Sequence, residues 1–422
     1  MGVNVRKLAW DTLCRCEKAG QYSNLATDAV LKKNQLPDVD RALLTALVYG
    51  TIERQTTLDF WIDSLSQKPP EAEIRVLLRL GLYQLAFLDR VPDHAAVNET
   101  VALAPRRASG FVNAVLRSFL RAGKQIPPPD QTTDPVGFLS VTGAVCRPLA
   151  AKMIALFGID RAAAILSATL QKNDTCLRYN PLKVDFLTFK NALCAAGYNP
   201  VPIGKTGFRL SGAAPIGKLP GFSEGWFFVQ DEASQRCVSA LEAKPGMTIL
   251  DVCACPGSKS FGAAIDMKNQ GRVLSFDLHA SKLSLVENGA ARLGISILSV
   301  AERDARKPLP ELEDKADRVI CDVPCSGFGV LAKKPDLRLK SPETSVGLPQ
   351  IQAAILARSA TFLRPGGRLV YSTCTIFPEE NEGVVDPFLA EHPDFVLLEK
   401  QTLYPDTNGT DGFFYAVIER KT

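Results

Sequence analysis

Thr248-Ile-Leu-Asp-Val-Cys-Ala-Cys-Pro-Gly-Ser-Lys259 sets the fold of the C-terminal half. Thr248 to Cys253 is a short apolar run of the kind that forms a buried strand. Pro256 and Gly257 make a tight loop, and a helix is expected to start near Ser258. The same strand-then-helix pattern recurs downstream. Arg272-Val-Leu-Ser-Phe-Asp277, Asp317-Arg-Val-Ile-Cys-Asp322 and Arg368-Leu-Val-Tyr-Ser-Thr373 read as strands, and residues 350–363 as one of the intervening helices. Repeated β-α units predict a doubly wound, Rossmann-like α/β domain with a mostly parallel sheet over residues 236–422. Phe413-Phe-Tyr-Ala-Val-Ile418 suits a last strand in an antiparallel hairpin.

Upstream, residues 131–235 read as a small α/β module. Helices are expected at Leu149–Phe157, Arg161–Leu170 and 183–196, with strands at Leu177–Asn180 and 206–210. Residues 1–125 read as an all-helical bundle. Val5, Leu8, Ala9 and Leu13 recur at helical spacing, as do Ile74, Leu77, Leu78, Leu82 and Leu85, and then Phe111, Val115, Leu116, Phe119 and Leu120. Gln125-Ile-Pro-Pro-Pro-Asp130 cannot continue a helix, and a domain boundary is expected there.

A length of 422 residues allows two or three such domains. Hydrophobic content of 46% and charged content of 22% match ordinary globular chains. The opening MGVNVRKLAW has no signal-peptide pattern, and no run approaches a membrane span, so a cytoplasmic protein with no membrane partner is expected. Eleven cysteines, an odd number, predict reduced thiols rather than a disulfide framework. With no C-x-x-C pair and only His94, His279 and His392, no metal is expected. The net charge of +4 lies wholly in the N-terminal third, where residues 1–125 hold 17 basic and 13 acidic side chains. Residues 105–124 carry five basic side chains and no acid, which suits either a solvated helix face or a phosphate-facing one.

In open α/β sheets ligands bind beyond the carboxyl ends of the strands, and four strands here end in notable residues. The loop Cys253 to Lys259 brings backbone N–H groups to a ligand, without the G-x-G-x-x-G of dinucleotide binders or the ending of a P-loop. Asp277 ends the second strand, where an acid commonly holds ribose hydroxyls; an isolated Asp there is as readily a helix N-cap. Asp304 follows a further strand and could reach an adenine amine. Together they describe an adenosine site, and a methyl-donor cofactor fits better than a nicotinamide. The specific signal is a pair of cysteines. Asp322-Val-Pro-Cys-Ser-Gly327 and Ser372-Thr-Cys-Thr375 place Cys325 and Cys374 at the ligand edge of one sheet. A free cysteine alone is more often a core residue. Two beside a cofactor loop suit attack on a pyrimidine: a thiolate adding at C6 makes C5 nucleophilic, and loss of the C5 proton then expels the thiol. One cysteine can be the nucleophile and the other can assist proton removal or release. Asp322 is placed to bond the cytosine amine edge and N3.

The motifs D-V-C-A-C-P-G-S-K, D-V-P-C-S-G-F-G and Y-S-T-C-T resemble those of the Nol1/Nop2/Sun RNA cytosine-C5 methyltransferases. Phe228 to Gln235, Lys334-Pro-Asp-Leu-Arg338 and Pro378-Glu-Glu-Asn-Glu382 add to the likeness. Residues Asn98-Glu99 and Gly110 to Arg117 resemble the NusB-like RNA-binding domain, and the combination resembles the bacterial ribosomal RNA small subunit methyltransferase B family. The resemblance implies S-adenosylmethionine as cofactor and small-subunit rRNA as partner, and a monomer is expected. It implies Cys374 as the nucleophile, Cys325 as the releasing cysteine, and Cys253, Ala254, Cys255, Pro256, Gly257, Ser258 and Lys259 as the cofactor loop. Asp277 takes the ribose position, Asp304 the adenine side, and Asp322 lies near both methyl donor and base. Lys282 stands where an arginine is frequent. Ser258 replaces a usual glycine, at a cost of order 1 kcal/mol if the position needs positive φ, and Arg303 also stands where glycine is usual. The competing readings are the same chemistry on another rRNA or a tRNA cytosine, an inactive RNA-binding assembly factor, and metal binding by the cysteines at the sheet edge.

Overall fold

The computed structural model describes residues 4–171, 174–211 and 216–422; the first three residues of the opening stretch lie outside them. Two compact units emerge. One holds Met1–Leu170 with Lys333–Pro342, the other Gln171–Ala332 with Glu343–Thr422.

The first unit is helical. Its central helix, Ala72–Phe87, buries ten residues, among them Ile74, Leu77, Leu78, Leu82 and Leu85. It is covered on nearly all sides, so apolar residues fall on more than one face. Gly81 permits the close approach, since a Cβ there would stand 2.9 Å from Leu116. Arg79 is buried in the same helix and is neutralised by Asp59 and Glu17, at 2.7 Å each. Helix Arg106–Arg121 buries Val112, Val115, Leu116 and Phe119. Phe111, expected on that inner face, is 37% exposed because Val112 takes the place. Arg106, Arg107, Arg117 and Arg121 point to solvent.

The packing groups the chain differently from the three spans expected. The proline run does not end this unit. Helices Pro135–Thr142, Arg147–Phe157 and Ile159–Ala168 continue it. The Thr57 hydroxyl donates to the Val141 carbonyl at 2.6 Å, and Arg54 donates to the Leu170 carbonyl at 3.3 Å. A proline run forbids helix but does not forbid the next helices from packing back.

The second unit contains two sheets. Strands β1 (Thr175–Tyr179), β2 (Val201–Ile203), β3 (Gly207–Leu210) and β4 (Phe227–Val229) form an antiparallel sheet in the order β2-β3-β1-β4. Helix Phe186–Ala195 adds Phe189 and Leu193 to its core of Leu177, Phe208 and Phe227. This sheet is tied to helices Ser258–Asp266 and Ala280–Leu293 of the same unit. Arg178 Nη2 donates to both Asp266 carboxylate oxygens, at 2.7 and 2.8 Å, and Asn180 donates to the Leu293 carbonyl at 2.9 Å.

The large sheet comprises β5 (Thr248–Asp251), β6 (Arg272–Asp277), β7 (Leu298–Glu302), β8 (Ala316–Asp322), β9 (Leu363–Thr373), β10 (Phe395–Leu403) and β11 (Phe413–Arg420), ordered β10-β11-β9-β8-β5-β6-β7. Strands β9, β8, β5, β6 and β7 run parallel, and the β10–β11 hairpin is antiparallel, as expected. The chain builds outward from β5 through β6 to β7, then returns to place β8 on the other side of β5. That reversal opens a crevice at the carboxyl ends of β5 and β8.

Candidate active site

Beyond β5 the chain turns through residues 252–257, anchored by both neighbouring strands. Val252 N donates to Ile320 O at 3.1 Å and Ala254 N to Phe276 O at 2.7 Å. The Asp277 carboxylate at the end of β6 accepts Cys255 N at 3.1 Å and His279 N at 3.0 Å. The Cys255–Pro256 peptide is cis. Gly257 carries the positive φ, +109°, and a Cβ there would fall 2.4 Å from the Phe261 ring. Only glycine serves at that position. Ser258 is the first residue of helix Ser258–Asp266, so the strain foreseen for a serine there does not arise.

The donor and acceptor set fits an adenosyl group. Asp277 keeps acceptor capacity beyond its two backbone bonds, since a carboxylate offers about four sites. Asp304 lies just past β7. Arg306 grips it through Nε and Nη2 at 2.9 and 2.8 Å, which with a backbone bond holds its carboxyl down at about 2. Phe276, Leu278, Asp304 and Leu309 are among the walls of a 780 Å³ cavity along β6 and β7. Lys282 stands exposed in the first turn of helix Ala280–Leu293, where its charge acts on Cys255.

Lys259 is 8% exposed and its Nζ lies 2.6 Å from Asp322 at the end of β8. Burial opposes the ammonium charge, but Asp322, with Cys237 and Asp251 behind it, outweighs burial and holds the lysine protonated above its ordinary range. The other Asp322 oxygen accepts the Ser372 hydroxyl at 2.7 Å. Asp322 is thus fixed between a cation and a hydroxyl, with lone pairs remaining.

Cys325 and Cys374, 49 residues apart, bring their sulfurs to 2.9 Å, and Cys374 N donates to Cys325 Sγ at 3.2 Å. Hydrogen bonding to Cys374, burial, and the charges of Cys374 and Glu380 all push the Cys325 thiol well above its ordinary range. Two sulfurs this close carry one negative charge more readily than two. Gly329 N donates to Cys374 O at 2.9 Å and Gly329 O accepts Gly412 N at 2.8 Å. A Cβ at Gly329 would stand 1.9 Å from Gly412 O, so glycine is required for the two loops to meet.

The structure therefore joins the sequence-derived residues into three groups: Asp277 with the 253–257 loop, Lys259 with Asp322, and Cys325 with Cys374. It also adds residues to which sequence reasoning gives no role. Asp251 is 1% exposed, accepts the Ser260 hydroxyl at 2.6 Å, and is pushed up by burial to about 7. Glu380, Gln352 and Asn381 surround the cysteine loops. The signal for Glu380 and Asn381 is the Pro378-Glu-Glu-Asn-Glu382 stretch, visible in the sequence but without an assigned task. Lys334 to Arg338 packs in the helical unit, where Arg338 donates to Gly143 O at 3.0 Å and Thr169 O at 2.8 Å. Among the described residues no group of three or more potential metal ligands gathers.

Comparison with known proteins agrees with this geometry. Residues 238–419 match the 16S rRNA methyltransferase RsmB/F family, and residues 3–121 match the NusB family. The chain is 37% identical to the probable ribosomal RNA small subunit methyltransferase B of Bacillus subtilis, with 99% of each chain covered. It is 34% identical to the probable counterpart of Synechocystis, covering 99% of this chain and 100% of that one. The solved structure of PH0851 covers the whole of both chains with a TM-score of 0.80 at 26% identity. With both segments matched and near-complete coverage of these relatives, the chain belongs to the ribosomal RNA small subunit methyltransferase B family.

Proposed function

We propose that this protein methylates C5 of a specific cytosine in small-subunit rRNA through a covalent bond between Cys374 and C6 of the base. The observation that carries the reading is the pair of sulfurs 2.9 Å apart at the sheet edge that also presents Asp322. S-adenosylmethionine is the methyl donor, and when bound it supplies an electrophilic methyl group. Cys253 to Lys259, Asp277, Asp304 and Asp322 would hold it, with Lys282 nearby.

The chain's own residues account for the rest. The Cys374 sulfur bonds to C6, and the C5=C6 pair becomes available at C5. Asp322, oriented by Lys259 and Ser372, accepts from the exocyclic amine and selects cytosine over uracil, which offers a carbonyl there. After methylation, removal of the C5 proton leaves the C5–H electron pair to form the C5=C6 bond and expels the Cys374 sulfur. Cys325, in contact with Cys374, is the residue placed to assist that release. The exposed arginines of helix Arg106–Arg121 offer a phosphate-facing surface.

The test uses purified Cys325→Ala protein, small-subunit rRNA and the methyl donor on a denaturing gel. A retarded RNA–protein band that Cys374→Ala removes is expected. Absence of the band while wild type methylates normally overturns the cysteine roles. Absence of both band and wild-type methylation means a different RNA or an inactive RNA-binding assembly factor.

A further inference from the structure

Glu380 is a buried carboxylate, 2% exposed, in the turn Pro378–Glu380 that comes after β9. Its contacts converge on the Pro-Cys loop. Oε2 accepts Ser326 N at 2.8 Å and Gln352 Nε2 at 2.9 Å, and Oε1 accepts the Ser326 hydroxyl. Gln352 also donates to Pro324 O at 3.0 Å, so both residues flanking Cys325 are tied to this cluster. The Ser326 hydroxyl lies 3.1 Å from Thr375 Oγ1, next to Cys374. The adjacent Asn381 accepts the Thr373 hydroxyl at 2.5 Å and donates to Thr375 O at 3.2 Å. Tyr371, fully buried within β9, donates to Glu380 O at 2.6 Å and fixes the turn. One short stretch after β9 therefore clamps both cysteine loops, the Pro-Cys loop through Glu380 and the Thr-Cys loop through Asn381.

We propose that Glu380 is the positioning residue for Cys325, and that it governs release of the methylated RNA more than methyl transfer itself. This rests on the covalent reading above. The Glu380 carboxylate bonds directly to Ser326 and, through Gln352, reaches Pro324, the two neighbours of Cys325. Its negative charge also acts on Cys325. A carboxylate beside a thiol raises the thiol's proton affinity and makes the thiolate, once formed, a stronger base. In the resting pair the Cys374 sulfur helps keep Cys325 protonated. Once Cys374 is a neutral thioether to C6, that influence is gone and Cys325 can give its proton to water. Its thiolate then takes the C5 proton, the C5–H pair re-forms C5=C6, and the C6–S bond breaks to return Cys374 as thiolate.

Glu380→Gln is the informative variant. The amide oxygen can still accept from Ser326 N and Gln352, and the amide nitrogen can donate to the Ser326 hydroxyl, so the loop connections have replacements while the charge is lost. Multiple-turnover kcat is expected to fall about tenfold, part of the 10²–10⁴ that a positioned base supplies, because a neutral amide holds the Pro-Cys loop less firmly than the carboxylate's charge-assisted bonds. First-turnover methyl transfer should fall less than about threefold and kcat/KM should hold, so that KM for RNA falls along with kcat, because release alone is slowed. A covalent RNA–protein band should build up in this variant, intermediate between wild type and Cys325→Ala. Glu380→Asp keeps the charge and should recover part of the turnover. Wild-type turnover in Glu380→Gln overturns the proposal. So does a parallel loss of first turnover and donor binding in both variants, which marks a purely structural residue. If Cys325→Ala itself gives no band, the covalent reading fails; if Cys325→Ala gives the band and Glu380→Gln does not, only the role of Glu380 fails.

Discussion

Two family-like stretches each carry a buried cation, and the two cations do different work. Lys259 lies in the sheet-edge crevice and faces a carboxylate, Asp322, at 2.6 Å. Arg338, fully buried, lies in the segment Lys333–Pro342 of the helical unit and bonds Gly143 O, Thr169 O and the Thr169 hydroxyl. Burial pulls the Arg338 guanidinium down to about 10, with Glu53 the chief charge resisting it. Lysine is a compact point charge that can yield its partner to a ligand. Arginine is a planar fork suited to hold several oxygens at once. The first arrangement keeps an acid oriented at the proposed catalytic site; the second ties off chain ends that would otherwise leave carbonyls buried and unpaired.

Substitution at each cation separates these roles. Lys259→Met removes the charge that orients Asp322. Methylation is expected to fall about 10²–10³-fold, as when a preorganised electrostatic partner is lost, with little change in unfolding; kcat/KM and a denaturant titration together check it. Arg338→Met should do the reverse. Stability of the helical unit should drop by about 2–4 kcal/mol, because buried acceptors lose their donors. Amide hydrogen exchange should quicken in Pro135–Thr142 and Ile159–Ala168, and a variant protected as well as wild type would remove Arg338 from this role.

A buried acid sharpens the contrast with pH. Asp251 is raised from 3.8 to about 7, chiefly by burial. The folded chain therefore binds this proton more tightly than the unfolded one, and its contribution to stability falls as pH climbs from 3.8 to about 7. Asp251→Asn should become more stable relative to wild type over that window, by about 1.4 kcal/mol for each pKa unit removed, in thermal melts at stepped pH. A constant difference across the window would show that Asp251 is ionised at no such penalty. The smallest effect belongs to Ser258→Gly. Since Ser258 needs no positive φ, the change should shift stability by less than about 1 kcal/mol and should not tighten binding of the methyl donor.

Much of the fold is legible from local pattern. The strand at Arg272–Asp277 matches its expected bounds, Asp304 does follow a strand, and the helix after the Pro-Gly turn starts at Ser258. Apolar runs closed by turn residues declare themselves within a few positions. The central helix is recognisable by its inner positions, although burial on several faces blurs its period. The small antiparallel sheet is legible only in part: β1 and β3 have a readable pattern, while the three-residue strands β2 and β4 carry too little to detect.

By itself the sequence determined which residues stand at the ends of strands, and so which side chains could reach a ligand: Asp277, Asp322, Cys325 and Cys374. Strand periodicity and turn chemistry act over a few residues and need no partner. Only the tertiary structure decided that the two cysteines meet at 2.9 Å, that Glu380 and Asn381 clamp their loops, and that Lys333–Pro342 packs with the helices rather than with the sheet. Those outcomes depend on strand order and on contacts between residues tens to hundreds of positions apart, and such contacts form only when the whole core packs.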